Sequence, residues 1–250
     1  MSVFFSLFKK ELRMTFYSPI AYVVMFFFWA LSGGNFIWLL WQLGMGESIT
    51  VATQYMFGGP VLTFALPVII PLITMRLFSE ERKLGTLEAL LTTSVKVPEL
   101  VLAKFFGAWV FYLTLWLPVL VYAVIQGQLV PGDLAGFPDV GALRAGLLGV
   151  MLVGGAYLSV GVLLSSLTSN QIVAAIGGFA LLFGSSIAFT IMAYSAQSTT
   201  PRVLGLFFSP FAHMMDFSRG IVDSRVVVTY LAYTVWYLFI TVKVVESKRA

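Results

Sequence analysis

Charged side chains and histidine are few, and about half of them lie in two short segments between long apolar stretches. One segment, residues 195–225, holds His213, Asp216, Arg219 and Asp223, broadly on one face of a predicted helix. Such a group would ligate a metal ion or form ion pairs. Because there is one imidazole and Arg219 repels a cation, we predict no metal site. We expect a headgroup-facing surface with an i, i+3 pair between Asp216 and Arg219.

Residue types missing from the sequence exclude most enzyme classes. Cysteine is absent and histidine occurs once, which excludes disulfide scaffolds, thiolate nucleophiles and Cys-rich zinc sites. The phosphate-binding pattern G-x-x-x-x-G-K-[ST] is absent, and no Gly-Lys pair occurs, so the chain is not expected to hydrolyse ATP. We predict a protein that is not an enzyme, with no catalytic residue and no cofactor of its own.

The elements that position these segments are predicted to be membrane helices. Of 250 residues, 59% are hydrophobic and 10% charged, against roughly 25% charged in an average soluble domain. Six charge-free stretches approach the ~20 residues that a span needs: Ile20–Trp41, Val51–Met75, Phe105–Ile125, Ala145–Leu164, Ile172–Tyr194 and Val226–Val242. Their centres contain no ionisable residue, which argues against an ion-coupled transporter and an intramembrane hydrolase. The predicted fold is one all-α integral membrane domain over residues 1–250.

Lysine and arginine orient the six spans. The segments before span one, between spans two and three, and after span six carry eleven of these residues, and the other side carries four. Because positively charged loops stay in the cytoplasm, both termini are predicted to be cytoplasmic. Lys104 and Arg144 lie at predicted span ends, where we expect their long side chains to reach the membrane interface.

Residues 1–18 are predicted to form an amphipathic interfacial helix. Its apolar face has i, i+3/i+4 spacing and consists of Phe4, Leu7, Phe8, Leu12 and Phe16. Lysine and arginine on the other face suit anionic lipid headgroups. The sequence Tyr17-Ser18-Pro19 ends this helix, with Ser18 as the expected cap of span one.

Prolines in span two suggest a bend. Pro60, Pro67 and Pro71 each remove a backbone hydrogen-bond donor, and bent spans act as hinges in gates. The alternative is tight packing in a static bundle, since small residues and prolines are common in membrane helices. The sequence leaves both interpretations open, and we take the three prolines as candidate gate-hinge residues.

The second chemistry-bearing segment, residues 76–98, predicts a docking element. Gly85 is expected to break the helix leaving the membrane, and Thr86 to cap a short second helix. Leu87, Leu90 and Leu91 lie at i, i+3, i+4 and form a predicted apolar knob. Such a knob inserts into a groove on a partner protein or lies on the headgroups. Acidic residues disfavour the headgroups, because anionic lipid repels them: Glu80, Glu81, Glu88 and Glu99.

The chain resembles the permease subunits of type-2 ABC exporters, and most of all their gliding-motility-type branch. The resemblance rests on "MRLFSEERKLGTLEALLTTSVKVPELVLAKF" and on "SPFAHMMDFSRGIVDSRVVVTYLAYTVWYLFITVKVVESKRA", and it covers nearly the whole chain. It implies that two permease subunits pair, as a homodimer or a heterodimer, in the bacterial inner membrane. It also implies that a separate cytoplasmic ATPase binds ATP and magnesium and contacts this loop, whose helix is the coupling helix. The matching motif positions are Glu80, Glu81, Arg82, Gly85, Thr86 and Glu88.

The same resemblance places a re-entrant element in residues 195–225, which includes Phe211. This run is apolar but shorter than a span. The expected partners are the ATPase, a second permease subunit and membrane lipid, with no nucleic acid. An alternative function is the membrane anchor of a non-transporting ABC-like complex, which transmits ATP-driven force to an extracytoplasmic partner.

Overall fold

The computed structural model describes residues 3–45, 55–92, 95–129 and 140–248, and within these ranges the regular structure is all helical. The first half contains a short helix, two long apolar helices and a pair of short helices: α1 Val3–Phe16, α2 Pro19–Gly44, α3 Pro60–Thr74, α4 Ser79–Lys83 and α5 Thr86–Leu91. The remaining helices are α6 Val97–Leu115, α7 Leu117–Leu129, α8 Val140–Leu167, α9 Gln171–Ser195, α10 Thr199–Phe208, α11 Pro210–Ser218 and α12 Ser224–Glu246.

Six segments in the described ranges are long and apolar enough to cross a membrane, as predicted. They are Pro19–Gly44, Thr63–Lys83, Val97–Gln126, Val140–Leu167, Gln171–Ser195 and Ser224–Glu246. The predicted start of span two at Val51 lies outside the described residues. The chain is therefore an all-α integral membrane protein with six spans.

The third span differs most from its prediction. It begins at Val97, eight residues before the predicted Phe105, and it is interrupted at Trp116, between α6 and α7. Pro118 in the first turn of α7 has no N–H to donate to the preceding turn, which favours a break at this point. The early start places Lys104 in the second turn of α6 rather than at its end.

Helix α8 lies at the centre of the bundle, and its glycines receive side chains from its neighbours. A Cβ would overlap the ring of Phe57 at Gly146, the ring of Tyr112 at Gly154 and the side chain of Thr74 at Gly161. Because these sites leave no room for a methyl group, the glycines set the distance between α8 and the helices around it. This is the close packing expected of small residues in membrane helices.

Helix α1 packs along α6 through its apolar face. The ring of Phe4 lies edge-on to that of Phe106 at 6.5 Å, and Phe16 meets Phe111 at 5.3 Å. The face matches the predicted one, with one addition: Glu11 lies within it and is buried. The helix is therefore fixed to span three by apolar contacts that surround a carboxylate.

Candidate functional site

The end of span two and the connection to span three form an elbow, which we define as residues 76–92. Gly85 separates α4 from α5 with φ +70°, a left-handed conformation that favours glycine, so the predicted break is where the sequence places it. Gly85 itself is the N-cap of α5. The predicted capping role of Thr86 is wrong, because its hydroxyl donates to the Glu81 carbonyl oxygen at 3.2 Å.

The leucines of the elbow do not form an outward knob. Leu87 is 3% exposed and belongs to the hydrophobic core, and Leu90 is partly buried against that core. The side chain of Leu91 lies outside the described residues. The prediction that Leu87 docks on a partner is wrong, because helical apolar spacing fits packing onto the protein's own spans equally well. Among the elbow's described side chains, the exposed leucine is Leu84, at 68%.

A buried ion cluster anchors the elbow to two other helices. Lys104 Nζ donates to Glu11 Oε1 at 3.0 Å and lies 3.0 Å from Glu81 Oε1. Lys104 is 1% exposed, Glu11 3% and Glu81 8%. The Lys104 ammonium also lies 5.2 Å from the ring centroid of Phe78, within cation–π range. One cation thus links α1, α4 and α6.

The expectation that Lys104 reaches the membrane interface is wrong. Its ammonium is held inside the protein by two carboxylates rather than extended to solvent. A buried charge is tolerated only when it is paired, and the pairing here joins residues 11, 81 and 104. No local spacing pattern brings these three positions together.

Arg76 forms an ion pair within the elbow and attaches the elbow to the start of span one by a hydrogen bond. The Arg76 guanidinium binds Glu80 through both carboxylate oxygens, at 2.8 and 2.9 Å, and Nη1 donates to Ser18 Oγ at 2.8 Å. Ser18 is the N-cap residue of α2 by position, but its side chain makes no capping hydrogen bond. The sequence expectation for Ser18 is therefore wrong, because its hydroxyl accepts from Arg76.

The C-terminal end of span four provides a third attachment. Ser165 Oγ accepts from the backbone N–H groups of Phe78 and Ser79 at 3.0 and 3.2 Å, at the start of the elbow's first helix. The Ser166 carbonyl oxygen accepts from Arg82 at 3.0 Å and from Lys248 at 2.7 Å. Burial, together with the nearby positive charge of Arg82, lowers the pKa of Lys248. These contacts join the elbow to the end of span four and to Lys248, at one end of the bundle.

The candidate hinge prolines lie in one continuous helix, α3. Pro60 occupies its first turn, with a side chain outside the described set, and Pro67 and Pro71 lie inside the helix and are buried. The space beside Pro71 is closed by Gly178 of span five, where a Cβ would lie 3.1 Å from the proline ring. The hinge role stays a prediction.

The segment 195–225 forms two short helices, α10 and α11, joined at Ser209. Phe211 packs on Phe64 of span two, with ring centroids 6.1 Å apart. His213 faces inward, is 7% exposed, and its Nδ1 lies 2.9 Å from the Tyr230 hydroxyl. A re-entrant position in the membrane stays a prediction.

The predicted common face of four polar residues is wrong. Helix α11 ends at Ser218, so Arg219 lies past its end, and Gly220 turns the chain with φ +83°. Asp223 instead caps α12, accepting from the Arg225 N–H at 2.8 Å. Among the ion pairs of the described ranges there is none between Asp216 and Arg219, both of which are exposed. Nor do those ranges hold a group of three potential metal ligands.

The buried His213 predicts a loss of stability in acid. Burial lowers the pKa of His213, against the smaller opposing effects of Asp216 and Asp223. The unfolded histidine takes up a proton near pH 6.5 and the folded one only at lower pH, so the stabilisation is present above pH ~6.5 and is lost as pH falls below it. Thermal unfolding of purified protein between pH 7.5 and 5.5 should show this decline, and His213→Gln should reduce it. An identical decline in the variant would contradict the assignment.

Residues 41–245 match the family described as "ABC-2 family transporter protein". This match spans more than half of the sequence. The chain belongs to the ABC-2 transporter family. A search of curated proteins finds no match.

The family assignment makes this chain an ABC transporter permease, a membrane component rather than a catalytic one. The matched residues include the elbow, the ion partners Glu81 and Lys104, and the α10–α11 segment. Helix α1 with Glu11 precedes the match. The match gives no support to the alternative of a non-transporting, force-transmitting anchor.

Proposed function

We propose that this ABC-2 permease is the membrane subunit of an ATP-driven exporter and that its elbow docks on a separate cytoplasmic ATPase. The observation that carries the proposal is the elbow's two-sided construction. One side is fixed to the helices around it by buried ionic and hydrogen-bonded contacts, and the other side is exposed. An element attached in this way transmits a displacement of the partner to the spans.

The proposed docking surface consists of the exposed residues around Gly85. They share a position at the turn between α4 and α5 and are Lys83, Leu84, Thr86, Glu88 and Ala89. An exposed leucine surrounded by charged and polar side chains is typical of a small interface with an apolar centre and a polar rim. This surface replaces the knob that the leucine spacing predicted.

The proposed transmission runs through the three attachments of the elbow. Lys104 with its two carboxylates joins the elbow to α1 and span three, Arg76 joins it to span one, and Ser165 and Ser166 join it to span four. Displacing α4 therefore displaces the ends of three spans together. The free energy for transport comes from hydrolysis of ATP, bound with magnesium, in the partner subunit.

We further propose that the elbow faces the cytoplasm of a bacterial cell, with the permease in the inner membrane and both termini inside. Eleven of fifteen lysine and arginine residues on that side support this orientation. We also propose that two permease subunits pair, that the α10–α11 segment is a re-entrant element at the exit, and that the gliding-motility-type branch is the nearest one. The two quoted motifs support the last point.

Docking is tested by Leu84→Asp. Burying an aspartate at the centre of the interface is expected to reduce co-purified ATPase at least tenfold, because loss of a central apolar contact costs about 2 kcal/mol or more. The measurement is the ATPase-to-permease ratio after affinity purification with the ATPase encoded in the neighbouring reading frame.

The matched control is Leu204→Asp, an exposed leucine of α10 (46%, against 68% for Leu84) at the other end of the bundle, which should leave the ratio unchanged. Leu87→Asp should lower the yield of folded permease, because Leu87 is part of the core. Full ATPase recovery with Leu84→Asp, at normal permease yield, would refute the docking surface.

Topology is tested by single cysteines in this Cys-free chain. Glu88→Cys and Val222→Cys are both exposed, at opposite ends of the bundle. In intact cells a membrane-impermeant maleimide should label the cysteine at 222 and should label the one at 88 only after lysis. The reverse pattern would overturn the orientation.

A further inference from the structure

A cavity of about 470 Å³ opens beside the buried ion cluster. It lies between α1, the first turns of span one, the end of α3, and α4. Apolar side chains form one part of its wall, from spans one and two: Ile20, Val24, Leu72 and Ile73. Charged residues of α1 and the elbow form the other part. The cavity is amphipathic, with one apolar side and one ionic side.

The ionic side carries equal numbers of positive and negative groups. Its cations are Lys10, Arg76 and Lys104, and its carboxylates are Glu11, Glu80 and Glu81. The balance of three against three favours a ligand that itself carries both charges. A purely anionic ligand would face three carboxylates, and a purely cationic ligand three ammonium or guanidinium groups.

One carboxylate oxygen on this side lacks a donor. Lys104 and Lys10 both approach Glu81 through Oε1, at 3.0 and 3.6 Å. Glu81 Oε2 is buried and has no hydrogen-bond partner in the described part of the chain. A buried carboxylate oxygen without a donor costs free energy, and an ammonium N–H is the donor that suits it best.

The position of the cavity indicates where the ligand comes from. Its apolar wall is built from the first turns of span one and the last turns of α3, so it lies at the boundary of the membrane. The volume suits a polar headgroup with its glycerol and first carbons but not a whole lipid. The apolar sides of the two spans continue from the cavity and provide a surface for acyl chains.

We propose that this cavity binds the phosphoethanolamine headgroup of a membrane lipid. The ammonium donates to Glu81, whose buried Oε2 turns toward the cavity to accept it, and the phosphate lies toward Lys10 and Arg76, whose side chains remain partly exposed. The site does not depend on the proposed function, since it requires no ATPase and no transport. A lipid in it would fill the space between α1 and the elbow.

The test is native mass spectrometry of the detergent-purified permease. The protein is incubated with equal amounts of dioleoyl-phosphatidylethanolamine, dioleoyl-phosphatidylcholine and dioleoyl-phosphatidylglycerol. The ethanolamine lipid should be retained in preference. Glu81→Gln should reduce that preference by about tenfold, the change expected for loss of one charge-assisted hydrogen bond. Met14→Trp, which fills the cavity wall from α1, should reduce it independently of charge.

The matched control is Glu88→Gln, which removes the same charge from an exposed glutamate that does not line the cavity and should bind lipid as the wild type does. Equal retention of all three lipids, or equal retention by wild type and both cavity variants, would overturn the site. Retention of phosphatidylcholine equal to that of the ethanolamine lipid would overturn the role of an N–H donor. Competition by soluble phosphoethanolamine at the concentration effective for the lipid would overturn the lipid assignment.

Discussion

Replacing Lys104 with methionine is expected to lower the free energy of unfolding by about 3–5 kcal/mol. The substitution keeps the length of the side chain but removes the cation between Glu11 and Glu81, which leaves two buried carboxylates near each other without their counter-ion. The expected result is a large fall in the melting temperature of detergent-purified protein and a lower yield from membranes. Both are measured against the wild type in the same detergent.

The matched control is Lys243→Met, because Lys243 forms an exposed pair with Glu246 at 2.9 Å. An exposed pair contributes about 0–1 kcal/mol, so this variant should melt close to the wild type. The triple variant Lys104→Met with Glu11→Gln and Glu81→Gln should recover part of the loss, since no uncompensated charge remains. A Lys104→Met protein as stable as Lys243→Met would show that the ion cluster contributes nothing.

Gly205→Ala is expected to lower the free energy of unfolding by about 3 kcal/mol, at the upper end of the range for overpacking. Helix α10 crosses span five at this glycine, where a Cβ would overlap the backbone nitrogen of Ala193 and lie 2.6 Å from the carbonyl carbon of Met192. A side chain could rotate away from such an overlap, but a helical backbone cannot. The two helices must separate, and thermal unfolding should report it.

Gly184→Ala serves as the control for this prediction. Gly184 lies in span five itself, and a Cβ there meets no atom within 4 Å. Because alanine favours a helix over glycine by about 0.5–1 kcal/mol, this variant should be as stable as the wild type or slightly more so. If the two variants melt alike, the close crossing at Gly205 does not stabilise the α10–α11 segment.

The spans could be predicted because hydrocarbon thickness sets a length that any apolar stretch must meet. The same logic of local pattern predicted the apolar face of α1 and the break at Gly85, each of which depends on neighbouring residues only. The interruption at Trp116 was not foreseen. Pro118 was its signal, since a proline near the middle of a span removes a donor from the helix.

The candidate site was predicted in position but not in construction. Spacing identifies Leu87, Leu90 and Leu91 as one helical face but carries no information on whether that face packs inward or outward. Glu11 and Lys104 are 93 positions apart, and each has an ordinary explanation alone: a polar residue in an amphipathic helix and a lysine near a span end. Only the tertiary structure shows that they neutralise each other. His213 likewise gave no sign of its inward contact with Tyr230.

The long separation between Glu11 and Lys104 bears on how the protein is made. Helix α1 leaves the ribosome before span three, so its carboxylate has no counter-ion until 93 further residues have been added. At about 5–20 residues per second, this delay is about 5–20 s, during which spans one and two are synthesised. Until span three is made, the Glu11 carboxylate needs a hydrated environment, so α1 is synthesised well before it can dock in its final position.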